Sequence, residues 1–325
     1  MWKRVLITAL LAHASFATWA ADGSPDSYPS KPIRIIDGFQ AGGSTDYVAR
    51  VVAAKMTERF GQTVIVENRP GASGNLAVET TARAIPDGYT LFVGLSAILS
   101  SSPSLYPKLG YDLLKDFSYV SRVAIGANVL LAHPSVPVKS LAELVALARS
   151  KPKAIRYGSG GVGVPSHLVM ELLQRRTGME LLHIPYKGSA PAVIALTGGE
   201  VQVGLLSVAA AIPMIKAQRL TALAVASAKR VAPLPEVPTI GEAGVAGFDA
   251  TNIVGLLAPA GTPAAVIRRL NAEIRTIVQM EDVITKFAAQ GLEPAPSTPE
   301  EWRTIMEAEM AQWARVIKDA NITAN

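Results

Sequence analysis

The 325-residue chain contains no cysteine. This excludes disulfides, a cysteine metal site and a lipidated cysteine behind a leader. Histidine is scarce: His13, His133, His167 and His183 are the four, with no HxH or HxxxH pair, so no histidine metal site is expected. No GxSxG occurs, so the nucleophile elbow of an α/β-hydrolase is missing. No glycine-rich stretch runs into Gly-Lys-Ser/Thr, which excludes a P-loop. Aromatic residues make up 6% and the basic residues are scattered, a poor match to nucleic-acid binding. No apolar run reaches the roughly 20 residues that a membrane span needs.

Hydrophobic residues, at 49%, far outnumber the 18% that are charged. A globular chain of this length is expected to form about two domains. Met1-Trp2-Lys3-Arg4 is basic, Val5 to Ala12 is mostly apolar, and the small residues Thr18 and Ala20 stand three and one positions before Ala21. Residues 1–20 therefore read as a secretory signal peptide cut after Ala20. An exported chain without cysteine fits the bacterial periplasm. Removing Lys3 and Arg4 lowers the formal charge from +5 to +3.

Strand and helix patterns alternate along the chain. Ile33–Ile36 reads as a strand and Phe39-Gln40-Ala41-Gly42-Gly43-Ser44-Thr45-Asp46 as a loop. A helix then carries Val48, Val52 and Met56 on one face to about Phe60. Ser44 can cap that helix, and Asp46 lies in its first turn. Thr63–Val66 is a strand, Asn68-Arg69-Pro70-Gly71 a turn, and Asn75–Ala84 a helix. Thr90–Val93 is a strand that ends at Gly94-Leu95-Ser96. Such order argues for parallel sheets whose ligands sit at the carboxyl ends of strands. By that rule the 39–46 loop, Asn68 and Ser96 share one rim. Ser118–Ala132 is extended, interrupted near Gly126, and Ala250–Leu257 is extended again. These are expected to cross between the domains, giving domain I as 31–126 plus 248–325 and domain II as 127–247. In the last helix, from Pro299 to Ala320, Trp302, Ile305, Met306, Met310, Trp313 and Ile317 follow helical spacing and are expected in the core.

The centre of domain II is Gly158-Ser159-Gly160-Gly161-Val162-Gly163-Val164-Pro165-Ser166-His167-Leu168, between a short strand and a helix. Helix-start N–H groups lack internal partners and can hold an anion. Gly158, Gly160 and Gly163 match GxGxxG, but a dinucleotide fold needs an acid at the end of the following strand. That strand ends in Pro185-Tyr186-Lys187, and Glu180 lies at its other end. An exported enzyme using this loop is thus the alternative reading. Ser159, Ser166 and His167 offer a nucleophile and a base only as sequence neighbours, which rarely have triad geometry. His183, alone in an apolar strand, is expected to be a satisfied core residue. Rim residues of this kind (glycine, serine, asparagine) suit binding and not turnover, without cofactor or metal. Neither loop carries Lys or Arg, so backbone N–H groups are expected to anchor an anion, with Lys187 a solvated neighbour.

Seven segments together carry a family resemblance. They are Tyr28–Ile36, Ala41–Asp46, Glu67–Asn75, Pro86–Leu91, Tyr157–Leu168, Pro185–Gly188 and Ala258–Pro263. In this order, behind a signal peptide, they resemble periplasmic solute-binding proteins of tripartite tricarboxylate transporters, the Bug family. The resemblance implies two α/β domains that close on a ligand like a flytrap. It implies that loops 39–46 and 158–167 form two lips holding one carboxylate through backbone groups and ordered water. It also implies a monomer that delivers its ligand to a membrane permease with a large and a small subunit, or that serves a sensor protein. The implied ligand site comprises Phe39, Gln40, Ala41, Gly42, Gly43, Ser44, Asp46, Asn68, Ser96, Gly158, Ser159, Gly160, Val164, Ser166, His167, Lys187 and Ser207. Family ligands include citrate-like acids, dicarboxylates, acidic amino acids and aromatic carboxylates. The chain departs from the family at Leu206-Ser207, where others carry an acidic or amide pair, and at Ile253, where many carry Trp. If both positions face the distal end of the ligand, they favour a monocarboxylate or a ligand with an apolar body.

Overall fold

In the computed structural model, which describes residues 28–106, 108–320 and 322, the chain builds two sheets flanked by helices. The signal-peptide expectation lies outside the described residues. The first run consists of β1 (Ile33–Asp37), α1 (Ser44–Phe60), β2 (Val64–Asn68), α2 (Asn75–Ala82), β3 (Thr90–Leu95), α3 (Ser96–Leu105) and β4 (Phe117–Gly126). The second begins with β5 (Asn128–Ala132), α4 (Leu141–Ser150), β6 (Arg156–Ser159), α5 (Pro165–Thr177) and β7 (Leu182–Pro185). It continues through α6 (Ser189–Thr197), β8 (Val203–Ser207), α7 (Val208–Lys216) and β9 (Thr221–Val225). The chain then returns through β10 (Asn252–Pro259), α8 (Ala264–Ile277), α9 (Glu281–Ala288), β11 (Leu292–Pro294) and α10 (Pro299–Ala320).

The first sheet has the order β11-β4-β10-β3-β1-β2 and the second β7-β6-β8-β5-β9. By direction both are mainly parallel, as expected: β1 to β4 run one way against β10 and β11, and β6 to β9 run one way against β5. Parallel pairing joins β1 to β2 and β3, and β6 to β7 and β8. The crossing strands β4, β5 and β10 pair antiparallel with their neighbours. β5 and β10 enter their sheets from a crossing and so run against the βα strands, whereas β4 leaves its sheet at the crossing and runs in the same direction as β1 to β3.

Period-two alternation decides which layer each strand residue joins. In β1, Ile33 and Ile35 pack toward α1 and α8, whereas Ile36 packs with Ala77, Val78, Trp302 and Met306. In β5, Leu130 and Ala132 face α4 and α5, whereas Val129 and Leu131 face α6 and α7. Trp302, Met306 and Ile317 of α10 are buried, as their spacing predicts. Two helices escape the periodicity argument. In α3, Ser100, Ser101, Ser102 and Pro103 read as loop residues; burial of its serines against α10 makes it helical. α9 is only a two-turn helix after the longer α8.

Candidate ligand-binding cleft

The first lip leaves β1 at Asp37, which is wholly buried. Its carboxylate accepts from Phe39 N–H at 3.1 Å and from the Thr45 hydroxyl at 2.9 Å, tying the loop to the start of α1. Burial pushes the Asp37 carboxyl up to about 7, against the lowering effect of those hydrogen bonds. Asp46 accepts from Gly42 N–H, from Arg50 Nε and from Asn68 Nδ2, each at 3.0 Å. Burial raises its carboxyl, but these hydrogen bonds and the Arg50 charge outweigh burial and hold it below the usual range. Asn68 also donates to the Phe39 carbonyl and accepts from Arg50. Asp46 and Asn68 thus shape the lip from behind, a correction to their expected place against the ligand.

The second lip has the same backing with different chemistry. Gly160 N–H donates to Ser166 Oγ at 2.9 Å, Gly161 N–H to Ser159 Oγ at 3.1 Å and Gly163 N–H to His167 Nδ1 at 3.1 Å. These three loop N–H groups are therefore engaged inside the lip, which corrects the expectation that they anchor the ligand. Because His167 Nδ1 accepts, its ring is neutral with the proton on Nε2. Ser159 Oγ shares a 2.6 Å hydrogen bond with His183 Nε2. The His167 and His183 rings stack at 4.1 Å, and Tyr157 stacks on His183 at 4.7 Å. Burial lowers both histidines, His183 to about 3; Glu171 opposes the shift at His167, and His167 adds to the shift at His183. His183 is the satisfied histidine its strand predicts. Ser159 meets a histidine after all, but its side is sealed: the residue is wholly buried, as no nucleophile open to substrate would be.

Between the lips lies a cavity of ≈ 30 Å³. It is lined by Phe39, Gly43 and Ser44, by Gly160, Val164 and Ser166, and by Ser207, all named from the sequence. It is also lined by Thr45, which lies within the expected first lip, and by Leu95, Asn128, Gly188, Ser189 and Asn252, none of them among the expected contacts. Two of these carried a signal: Asn128 and Asn252 are amides that open the apolar stretches Val129–Ala132 and Ile253–Leu257, at the two crossings. Other expected contacts fall elsewhere. Gln40, Ala41 and Gly42 are exposed on the outer edge of their lip, and Lys187 is exposed as well. Gly158, Ser159 and His167 stand behind the second lip. Ser96 points away, donating to Glu309 of α10 at 3.0 Å. Leu206 packs in the core with Val193 and Ile212, and Ile253 packs on the α10 side. Neither lines the cavity; their strand neighbours Ser207 and Asn252 do, because successive strand residues face opposite ways.

Three helices, α1, α5 and α6, start at this cavity, and none has a side-chain cap on its first turn. α7 starts there too, capped by Ser207 Oγ, which accepts from Ala210 N–H. Among the described residues no charged side chain lines the cavity. The starts of α1 and α6 present unpaired N–H groups; α5 opens on Pro165, which has none, and its His167 N–H bonds to the Val164 carbonyl, so it adds chiefly the positive end of its dipole, and the cleft favours an anion. A cavity of this size has room for about two waters and no organic ligand, so the lips are shut. Contacts across the cleft hold them. Ser73 donates to the Val162 carbonyl at 2.8 Å and Ser101 to the Gly163 carbonyl at 3.1 Å. Phe39 and Ile98 pack on Val164, and Leu105 and Ile317 on Leu168. Gly163, at φ +77°, lies so near Leu105 that a Cβ would stand 2.3 Å from its Cδ1.

Residues 48–322 match the model of the tripartite tricarboxylate transporter family receptor. The chain belongs to that receptor family. Protein BugT of Bordetella pertussis is 38% identical to the receptor over 301 residues, covering 92% of each chain. The solved structure of R. palustris Rpa4515 with adipate is 36% identical, with a TM-score of 0.89 over 91% of the receptor and 100% of that chain. MatC from Rhodopseudomonas palustris with bound malate is 31% identical, with a TM-score of 0.83 over 89% and 100%. The receptor therefore has the two-domain α/β fold of periplasmic binding proteins, and its relatives are receptors and not enzymes. Among the described residues no helix is long and apolar enough to cross a membrane, and no group of three or more His, Cys, Asp or Glu could hold a metal ion.

Proposed function

We propose that the receptor captures a small carboxylate in the periplasm and delivers it to a membrane permease with a large and a small subunit. Residues 31–126 with 248–325 form one closing domain and 127–247 the other; the working unit is a monomer. The observation that carries this reading is the convergence of three uncapped helix starts, from both sides of the cleft, on a cavity that no charged side chain among the described residues lines. Unpaired N–H groups at Ser44, Thr45, Ser189 and Ala190 are the anchors, placed at the helix starts and not within the glycine loop. The bound adipate and malate of two similar proteins support a carboxylate ligand.

Titration calorimetry with adipate, malate and other short carboxylates tests the reading, with small-angle scattering on the same samples. Saturable binding and a smaller radius of gyration with ligand than without are expected; an unchanged radius at saturation would count against closure. Absence of binding by every carboxylate would overturn the proposal.

A further inference from the structure

We infer that Asn128 reads the bound solute directly: its carboxamide N–H₂ donates to a second acceptor group of the ligand, which selects dicarboxylates over monocarboxylates. The inference rests on the carboxylate reading above and adds the residue and the selectivity. Asn128 is 2% exposed, opens β5 and lines the cavity. Its Oδ1 accepts from Asn252 Nδ2 at 3.0 Å, which fixes the amide plane, while its own Nδ2 is buried without a partner. Buried polar atoms are almost always paired, so an orphan donor on a cavity wall marks the place of an absent acceptor. Ser207 strengthens the assignment. It is the cross-strand partner of Asn128, and its Oγ accepts from Ala210 N–H, which leaves the hydroxyl proton to donate. Paired residues of adjacent strands lie on one face, so the two donors stand side by side.

The helix starts already provide donors for one carboxylate. A monocarboxylate would leave Asn128 Nδ2 and the Ser207 proton facing its apolar body, at the desolvation cost of two unpaired donors. A dicarboxylate satisfies them. The leaning toward a monocarboxylate drawn from Leu206 and Ile253 loses its basis, because neither residue lines the cavity.

The test is calorimetry with α,ω-dicarboxylates of four to six carbons and monocarboxylates of the same lengths, on the wild type and on Asn128→Leu. The wild type is expected to bind the best dicarboxylate at least about tenfold more tightly than its monocarboxylate match. Asn128→Leu is expected to remove most of that preference by weakening the dicarboxylate alone; because it also strips Asn252 Nδ2 of its acceptor, circular dichroism must show the variant folded at the temperature of the titration. Wild-type preference for monocarboxylates, unchanged dicarboxylate affinity in Asn128→Leu, or equal loss of both probe classes would each overturn the inference. A wild type that binds no carboxylate overturns the proposed function itself, and this inference with it. Selective binding of amino-substituted ligands would show that Asn128 presents its oxygen to the cleft and would also overturn the inference.

Discussion

The Phe39–Asp46 lip is braced from behind by carboxylates, Asp37 and Asp46, whereas the Gly158–His167 lip is braced by the hydroxyls of Ser159 and Ser166 and the imidazoles of His167 and His183. Both devices pull backbone N–H groups inward and set the loop shape. They differ in what they do to an anion in front of them. Negative charge behind the first lip opposes the ligand unless it is neutralised, and each carboxylate has its own answer: Asp46 takes Arg50 as partner, and Asp37 holds its proton to about pH 7. The neutral histidines of the second lip carry no such conflict, but they fail as acceptors once protonated. The two lips therefore respond to pH with opposite signs.

The largest effect is expected at Asp37. Its folded-state carboxyl lies above the ordinary value, so between about pH 4 and pH 7 the folded protein keeps a proton that the unfolded chain has lost. Stability attributable to Asp37 is thus present at low pH and falls as pH rises through that window. Asp37→Asn, neutral throughout, should exceed the wild type in urea denaturation at pH 8 by on the order of 4 kcal/mol and should match it near pH 4. A variant no more stable at pH 8 would mean that Asp37 is ionised without cost.

The histidines work the other way. Their folded values lie below the ordinary one, so the unfolded chain takes up protons first as pH falls below about 6.5, and folded-state stability declines toward pH 3. From pH 7 to 4.5 the wild type should lose about 3 kcal/mol through His183. His183→Gln, which keeps a partner for Ser159, should lose less over the same range. His167→Asn, which keeps an acceptor for Gly163 N–H, should flatten any acid weakening of ligand affinity measured by calorimetry. Parallel pH profiles for wild type and variants would remove the contrast between the lips.

The smallest effect is expected where the lips touch. Ser73→Ala with Ser101→Ala removes two hydroxyl donors to the Val162 and Gly163 carbonyls without touching the cavity wall. Ligand should dissociate about tenfold faster, equivalent to about 1.4 kcal/mol, with little change in association rate. Equal dissociation rates in surface plasmon resonance would show that apolar packing at Val164 and Leu168 alone keeps the cleft shut.

Much of this organisation was legible before any coordinates. Apolar alternation placed the strands, glycine and serine punctuation placed both lips, and the two extended runs marked the crossings. The content of the lips was less legible, because it depends on which atoms are already engaged. A glycine loop opening a helix reads as an anion site; that its N–H groups are taken by Ser159, Ser166 and His167 follows only from the fold of the loop. Asp46 and Asn68 read as rim residues by position, yet the lip folds over them. Asn128 and Asn252 acquire meaning only when two crossings separated by more than a hundred residues lie side by side. Ser73 and Ser101 matter only across a closed cleft.

That side-by-side arrangement has a mechanical consequence. Only Ala127 separates β4 from β5, and the return crossing runs alongside, with Asn252 in register with Gly126 and its side chain bonded to Asn128. The two strands form a hydrogen-bonded ribbon up to the Asn252–Gly126 pair, and the Asn252–Asn128 side-chain bond ties them one step further. Swinging within the plane of the ribbon would slide one strand along the other and break ladder hydrogen bonds, whereas bending out of the plane needs only small dihedral changes spread over a few residues. Such a connection is stiffer in one direction than in the other, and the residue beside it, Asn128, is the amide on the cavity wall.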